Sequence, residues 1–580
     1  MAVAPQRKSP SISIALSGSG GSGVMTAGDM LLEAAALAGC YGLMSRTSGP
    51  QIRGGEAAAL LRLAREPIEC HGDSFDILMA IDWVNTERFA AEIPIDAHSL
   101  MIGDPAQGSA PPEFVNLGAR PLALPMKDLA KKIPHGRANM VALGYIASLI
   151  GLPATAIAEA IRRSLDANSD AVTASLAAAE AGRAAAQGVE CPHRLAPGEA
   201  DHDKRWLITG NEAAGYGALK GGIRFVAAYP ITPATEILEW MAPALTDVGG
   251  VLVQAEDELA SINMAIGASY GGTPSLTATS GPGLSLMIEA LGLAISAEVP
   301  IVVVDVMRGG PSTGIPTKSE QSDLNIALYG PHGDSPHVVV APNSVADCLM
   351  TTQWAVHLAE TMQVPTLVLS DQSFGQTRMV IDRPADFAFA GQRKTANGDA
   401  QSYRRYALTK SGISPMAIPG MAGFMHTADG LEHSERGTPS SQAKDHLAQL
   451  DKRKRKLDTA DYDRHWAEVE GDGKDDVAVI TWGSCTAPAR EAVAQARADG
   501  VRVKLISMRL LSPAQPERLG KLLAGVKRVL VVEQTHSGQF HRYLRAEYSL
   551  PGEVRAIYRP GPLPLRPSEI HRKLVEWSNP

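Results

Sequence analysis

Three stretches between Thr209 and His332 put reactive side chain types where an apolar run hands over to a helical pattern. The first is Tyr229-Pro230-Ile231-Thr232-Pro233, after the apolar run Phe225 to Ala228. The two prolines fix φ and stiffen the loop, so the Thr232 hydroxyl can be aimed at a ligand. The alternative is a turn threonine that satisfies local backbone. The second is Gln254-Ala255-Glu256-Asp257-Glu258. Acids at a helix start are favoured by its dipole, which accounts for Glu256 and Asp257. Glu258 opens the run Leu259, Ala260, Ile262 and Met264, an apolar setting in which a carboxylate acts with little screening. The third is Thr279-Ser280-Gly281-Pro282-Gly283, followed by Met307-Arg308-Gly309-Gly310 after the apolar run Ile301 to Val306. A guanidinium there can hold a carboxylate in a bidentate pair.

These residues need strands that end along one edge, since parallel sheets bind ligands at their C-terminal strand ends. The periodicity supplies them. Strands are predicted at Arg224 to Ala228, Val251 to Ala255, Ser275 to Thr279, Ile301 to Val306 and Pro365 to Ser370. Helices are predicted at Ala213 to Lys220, Leu284 to Ser296 and Val345 to Met362, with Leu259, Ile262 and Ile266 at helical spacing. The β-branched run Ile301 to Val306 fits a strand buried on both faces. A second α/β rhythm runs from Val477 to Glu533, with strands at Val477 to Trp482, Val501 to Ile506 and Val529 to Glu533 and helices between. Between the two, Phe387 to Lys474 is rich in Gly, Pro and charge, with helix expected around Ser440 to Glu468. Its basic run Lys452-Arg453-Lys454-Arg455-Lys456 is expected to be a solvated helix face.

Ahead of this, residues 1 to 10 read as a disordered start, Ser11 to Leu16 as a strand and Val24 to Ala38 as a helix. The loop Gly18-Ser19-Gly20-Gly21-Ser22-Gly23 joins them. A glycine loop at a helix start can cradle an anion. A dinucleotide site needs an acid about 20 residues on, and Tyr41 to Ser45 has none. Tight strand-to-helix packing is the alternative to NAD or flavin. Ala154 to Ala186 reads as helix, and Gly188 to Arg205 as a linker.

With 580 residues, three or four domains are expected. The net charge of −8 gives no bulk attraction to nucleic acid. Five scattered cysteines without Cys-x-x-Cys offer no iron–sulfur or zinc pattern and fit a reducing compartment. No apolar run approaches the roughly 20 residues of a membrane span, and no secretory leader is readable. The expected location is the cytoplasm.

The central stretch resembles the thiamine-diphosphate pyrimidine domain of 2-oxoacid:ferredoxin oxidoreductases, in their alpha subunit. The resemblance rests on Gly210-Asn211-Glu212-Ala213, Tyr229 to Pro233, Glu256 to Gly267 and Arg308 to Asp323, and the run Gly309 to Gln321 is most similar to the 2-oxoglutarate enzymes. The first 190 or so residues, with Ser45-Arg-Thr-Ser-Gly-Pro-Gln-Ile-Arg-Gly-Gly55, resemble the family's gamma domain, and the last part resembles a transketolase C-terminal domain. This implies an α/β multidomain fold of parallel sheets flanked by helices: a gamma-type domain at 1–190, a linker at 191–205, the pyrimidine domain at 206–386, an excursion at 387–474 and the transketolase C-terminal-like domain at 475–580.

The resemblance also implies roles. Aligned on Gly267, Glu258 falls on the family's glutamate, which hydrogen-bonds N1′ of the aminopyrimidine and favours the imino tautomer that takes the C2 proton. Glu256 is its rival. Thr232 would face thiazolium and substrate; Tyr229, Pro230, Ile231, Gly281 and Gly283 would line the cofactor. Arg308 would bind the substrate carboxylate, with a hydroxyl from Thr317 and Lys318 as a further candidate or a plain surface lysine. Arg53, Gly20 and Gly21 are candidates for an anion such as coenzyme A, and the alternative for Arg53 is a structural hydrogen bond. Gly471-Asp472-Gly473 imitates the diphosphate motif, but the only later asparagine is Asn579 and the triplet is expected in a charged loop rather than at a strand end. The family's answer is a beta subunit carrying the magnesium–diphosphate half-site and a 4Fe–4S cluster, so the implied assembly is (alpha-beta)2, acting on a 2-oxoacid with coenzyme A and ferredoxin. Rivals are a pyruvate or branched-chain 2-oxoacid enzyme, a non-catalytic nucleotide-binding module and a self-sufficient transketolase-like enzyme.

Overall fold

The computed structural model describes residues 11–49, 55–165, 169–195, 204–471 and 473–578. Residues 1–10, Arg53, Asp472 and part of the expected linker lie outside the described residues. Two compact units emerge. One takes the described residues up to Thr209 with Gln376–Ala385 and Arg566–Ser568; the other takes Gly210–Gly375, Asp386–Leu565 and the described residues from Glu569.

The first unit is built on an eight-stranded sheet in the order Arg120–Ala123, Leu100–Gly103, Ile77–Ala80, Ser11–Gly18, Ala57–Ala64, Tyr41–Ser48, Arg378–Asp382, Arg205–Thr209. The first four strands are parallel, and the remaining pairings are antiparallel. Tyr41–Ser48 therefore does not lie beside Ser11–Gly18 as the second strand of a dinucleotide unit would. The glycine loop leads into the helix Val24–Leu37, close to the expected bounds. The alanine-rich stretch forms two helices, Ala154–Ser164 and Asp170–Ala185, and Ala138–Ile150 is a further helix beyond those expected.

The second unit holds a seven-stranded sheet in the order Leu510–Ser512, Val338–Val340, Thr366–Asp371, Val302–Met307, Ser275–Thr279, Phe225–Ala228, Val251–Gln254. All pairings are parallel except that of Leu510–Ser512, which the C-terminal part contributes. Val302–Met307 is buried along its whole length, as its β-branched run predicts. A five-stranded sheet follows the order Ala467–Glu470, Val503–Met508, Val477–Trp482, Arg528–Glu533, Glu553–Tyr558. One apolar core runs through both sheets, from Val226 and Val304 to Ile480 and Phe540.

Two expectations for the excursion are corrected. The helix spans Ala443–Asp458, and Ala467–Glu470 is a strand paired antiparallel with Val503–Met508. The sequence Ala-Glu-Val-Glu alternates with period two, which suits an edge strand rather than a helix. Gly471 consequently does follow a strand, but that strand is an antiparallel edge of the C-terminal sheet. The basic run is not a solvated face. Lys452 and Lys456, one helical turn apart, are buried and reach opposite oxygens of the buried Glu298 at 2.5 and 3.0 Å. Arg453 pairs with Glu432 at 2.8 Å, and Lys454 alone projects outward, to Asp458. The physical reason is the buried Glu298 on the facing loop, a charge that must be matched once desolvated.

Candidate active site

Four parallel strands of the seven-stranded sheet, Val302–Met307, Ser275–Thr279, Phe225–Ala228 and Val251–Gln254, end along one edge, and the loops after them carry the candidate residues. After Val251–Gln254 the chain turns into the helix Glu258–Tyr270, capped by Asp257, whose side chain accepts from the Ala260 amide at 2.7 Å. Asp257 is thus a helix cap, at the helix start where the dipole also favours an acid. Glu256 is exposed, whereas Glu258 is only 7% exposed. Glu258, Ile262, Ala265 and Ile266 face inward. Leu259 and Met264 do not: they are 48% and 43% exposed, so in this chain they do not form the expected apolar setting of Glu258. A helix that turns Glu258 inward turns those positions outward.

The next loop explains where Glu258 lies. A Cβ on Gly283 would be 2.0 Å from Thr279 Oγ1, 2.6 Å from Glu258 Cγ and 2.8 Å from Glu258 Oε1. The absent side chain at Gly283 is what lets the glutamate lie against the start of the helix Gly281–Ser296. Gly281 plays the same part for Asp323, whose Oδ2 is 2.7 Å from where a Cβ would stand.

The loop Tyr229 to Pro233 is clamped from two sides. The buried Asn211 donates from Nδ2 to the Pro233 carbonyl at 2.8 Å, and Arg308 donates from Nη1 to the Thr232 carbonyl. Thr232 is half-buried and Tyr229 exposed. Arg308 is only 5% exposed. Burial lowers its pKa, against the pull of Asp323 and Asp305. The chain then doubles back, because the Gly309 amide donates to the Lys318 carbonyl at 3.0 Å and the Ile315 amide to the Gly309 carbonyl at 2.8 Å. Gly314, at φ +58°, permits this: a Cβ would be 1.7 Å from the Gly309 carbonyl oxygen. Thr317 and Lys318, both half-buried, are thereby returned beside Arg308. Gln321 fixes the end of the loop to the C-terminal sheet, donating to the Trp482 carbonyl at 2.8 Å and accepting from the Gln534 amide at 2.8 Å.

Asn211, Asp305, Asp323 and Gln321 were not singled out from sequence. Asn211, Gln321 and Asp323 lie in stretches that carry the resemblance, and Asp305 is a lone carboxylate inside an apolar strand, which is a readable signal. In the other unit, Gly20 and Gly21 are exposed. Gly21 lines a hollow of about 910 Å³ with Lys127, Lys131, His135 and Arg137. Among the described residues no group of three or more His, Cys, Asp or Glu side chains could hold a metal ion.

Comparison with known proteins decides the family. The family described as pyruvate flavodoxin/ferredoxin oxidoreductase, thiamine diP-bdg, matches residues 216–452. Pyruvate ferredoxin/flavodoxin oxidoreductase matches 13–185, and the transketolase C-terminal domain matches 466–541. The 2-oxoglutarate synthase subunit KorA of Methanothermobacter marburgensis is 35% identical over 378 residues, 64% of this chain and 99% of that protein. The chain belongs to the 2-oxoacid:ferredoxin oxidoreductases. Within that family, the 2-oxoacid:ferredoxin oxidoreductase 1 alpha subunit of Sulfurisphaera tokodaii is 36% identical, and the match takes in 60% of this chain and 58% of that one. The solved 2-oxoglutarate:ferredoxin oxidoreductase of Magnetococcus marinus, with 2-oxoglutarate, coenzyme A and succinyl-CoA bound, is 38% identical, with a TM-score of 0.91 over 98% of this chain and 100% of that one. Three matched families in this order fit the multidomain α/β architecture expected from the sequence. No described helix is long and apolar enough to cross a membrane.

Proposed function

We propose that the chain is the alpha subunit, with a fused gamma-type domain, of a coenzyme A-acylating 2-oxoacid:ferredoxin oxidoreductase. It decarboxylates 2-oxoglutarate oxidatively to succinyl-CoA on thiamine diphosphate and passes the electrons to ferredoxin. The observation that carries this reading is the inward-facing Glu258 held against Gly283, at the strand edge of a domain whose family binds thiamine diphosphate. Bound there, the cofactor would supply a nucleophilic carbon for the 2-oxoacid carbonyl. Glu258 would hydrogen-bond the aminopyrimidine ring, and the clamped Thr232 loop would orient thiazolium and ketone. Arg308, with Thr317 and Lys318, neutralises the substrate carboxylate. Tyr229, Pro230, Ile231 and Gly281 complete the wall.

The diphosphate, a magnesium ion and a 4Fe–4S cluster fall to a beta subunit, in an (alpha-beta)2 assembly in the cytoplasm. Exposed apolar side chains in the loops and helices after the site's strands, Tyr229, Leu259, Met264 and Leu286, are of the kind that a partner covers. The glycine loop with Gly20 and Gly21, together with Arg53, is the candidate coenzyme A contact.

The test is to produce the chain with its beta subunit and measure ferredoxin reduction. Reduction that requires both 2-oxoglutarate and coenzyme A supports the reading. Reduction with pyruvate or a branched-chain 2-oxoacid in preference to 2-oxoglutarate would move it to the neighbouring subfamily.

A further inference from the structure

We propose that Asp305 and Asp323 share one proton and act as a positioning pair for Arg308, setting the net charge that the site offers to an anionic substrate. The proposal deepens the reading of Arg308 given above and rests on it. Asp305 is fully buried near the end of the central strand. Neither of its carboxyl oxygens meets an N–H or O–H donor, and neither does Asp323 Oδ2. Asp323 Oδ1 accepts from the Ser322 hydroxyl at 3.4 Å, and the two carboxyl groups lie close enough for a proton on one to reach the other.

Two carboxylates so placed cannot both be charged, because burial and mutual repulsion both oppose it. A single proton resolves the problem. One acid is neutral and donates to the other, which stays ionised near Arg308. The cluster of two acids and one guanidinium is then neutral overall. Loss of the shared proton would make it negative and repel a 2-oxoacid, while a second proton would leave it positive.

The surroundings favour the singly protonated pair. Burial and the facing acid hold Asp305 well above the usual carboxylate range, and burial raises Asp323 to about 6. The other charged groups facing the pair are few. Glu320 raises Asp323 further and Arg308 lowers both. Glu258 lies beyond the Gly281–Gly283 turn. Asp371, on the neighbouring strand, is occupied by the Ser484 hydroxyl and the Phe374 amide. Ser322 donates to the Arg308 carbonyl at 3.0 Å, which ties the segment bearing Asp323 to Arg308.

Two measurements separate this proposal from the reading beneath it. In the full chain alone, difference infrared spectroscopy at neutral pH should reveal the C=O stretch of a buried protonated carboxyl group, absent in Asp305→Asn and shifted in Asp323→Asn. A wild-type chain without that band overturns the shared proton whatever the enzyme's substrate. In the complex with its beta subunit, Asp305→Asn, which imitates the neutral acid, should lower kcat/KM for the 2-oxoacid by about threefold and Asp305→Leu by about a hundredfold. Asp323→Asn should abolish the change in kcat/KM near pH 6. Equal losses for the Asn and Leu variants at 305, or a wild-type pH profile in Asp323→Asn, would overturn the positioning role.

Discussion

Arg308 donates a hydrogen bond to the carbonyl oxygen of Thr232, 76 residues earlier in the chain. The bond spans the end of the strand Ser275–Thr279, which lies between the strands that carry the two residues. It ties the proposed substrate cation to the proposed cofactor loop, so one side chain orients both. Arg308→Met should therefore weaken every 2-oxoacid alike, because each carries a C1 carboxylate. Removal of a buried charge-assisted contact costs roughly 2–5 kcal/mol. The measurement is kcat/KM for 2-oxoglutarate and for pyruvate. A loss confined to 2-oxoglutarate would assign Arg308 to the distal carboxylate instead.

Gly283→Ala tests the seat of Glu258. The new methyl group would strike Thr279 Oγ1 and the Glu258 side chain, and the glutamate is the freer of the two to move. Assembly with the beta subunit should survive while turnover falls by about 10² or more, since a small displacement of a catalytic group is that costly. A variant of wild-type rate would show that Glu258 need not lie against this turn.

The buried ionic cluster of the excursion makes a stability prediction. Glu298→Gln would leave Lys452, Lys456 and Arg405 facing one another without their anion. Breaking such a cluster costs roughly 3–5 kcal/mol, readable as a lower denaturation midpoint.

The same cluster sets a pH dependence. Burial lowers Lys452 to about 8 from its ordinary 10.5. Between those values the unfolded chain keeps a proton that the folded chain has released. This site's contribution to stability therefore rises with pH across that window, and the cost of the buried charge is felt in full below it. Lys452→Met should flatten that rise in denaturation midpoints measured from pH 8 to 10.5.

Purified anaerobically without a beta subunit, the chain should carry neither an iron–sulfur cluster nor tightly held thiamine diphosphate. The motivation is the absence of a Cys-x-x-Cys pattern and of a Gly-Asp-Gly triplet followed some tens of residues later by asparagine. Iron and thiamine analysis of the pure chain is the check. Four iron atoms per chain would contradict the division of labour.

The strands that carry the site were legible because buried parallel strands are written as apolar runs: Ile301 to Val306 predicted Val302–Met307 nearly to the residue. The mixed half of the first sheet was harder. Tyr41–Ser48 and Ala57–Ala64 pair over a register that no local pattern announces. Charge misled most clearly at Lys452 to Lys456, because a basic helix looks the same in sequence whether it faces water or a buried Glu298 distant in the chain. Leu259 and Met264 misled in the opposite sense: apolar side chains that point outward read as core when a helix is considered alone. The Asp305–Asp323 pair shows the same limit: Asp305 stands out inside its apolar strand, but only the fold brings Asp323 to it.

The central claim is that Glu258 is the carboxylate that activates thiamine diphosphate, and one pair of variants tests it. In the reconstituted complex, 2-oxoglutarate- and coenzyme A-dependent reduction of ferredoxin should fall by about 10² to 10⁴ in Glu258→Gln with assembly intact. Glu256→Gln, altered at an exposed position, should stay near wild type. An active Glu258→Gln beside an inactive Glu256→Gln would contradict the account.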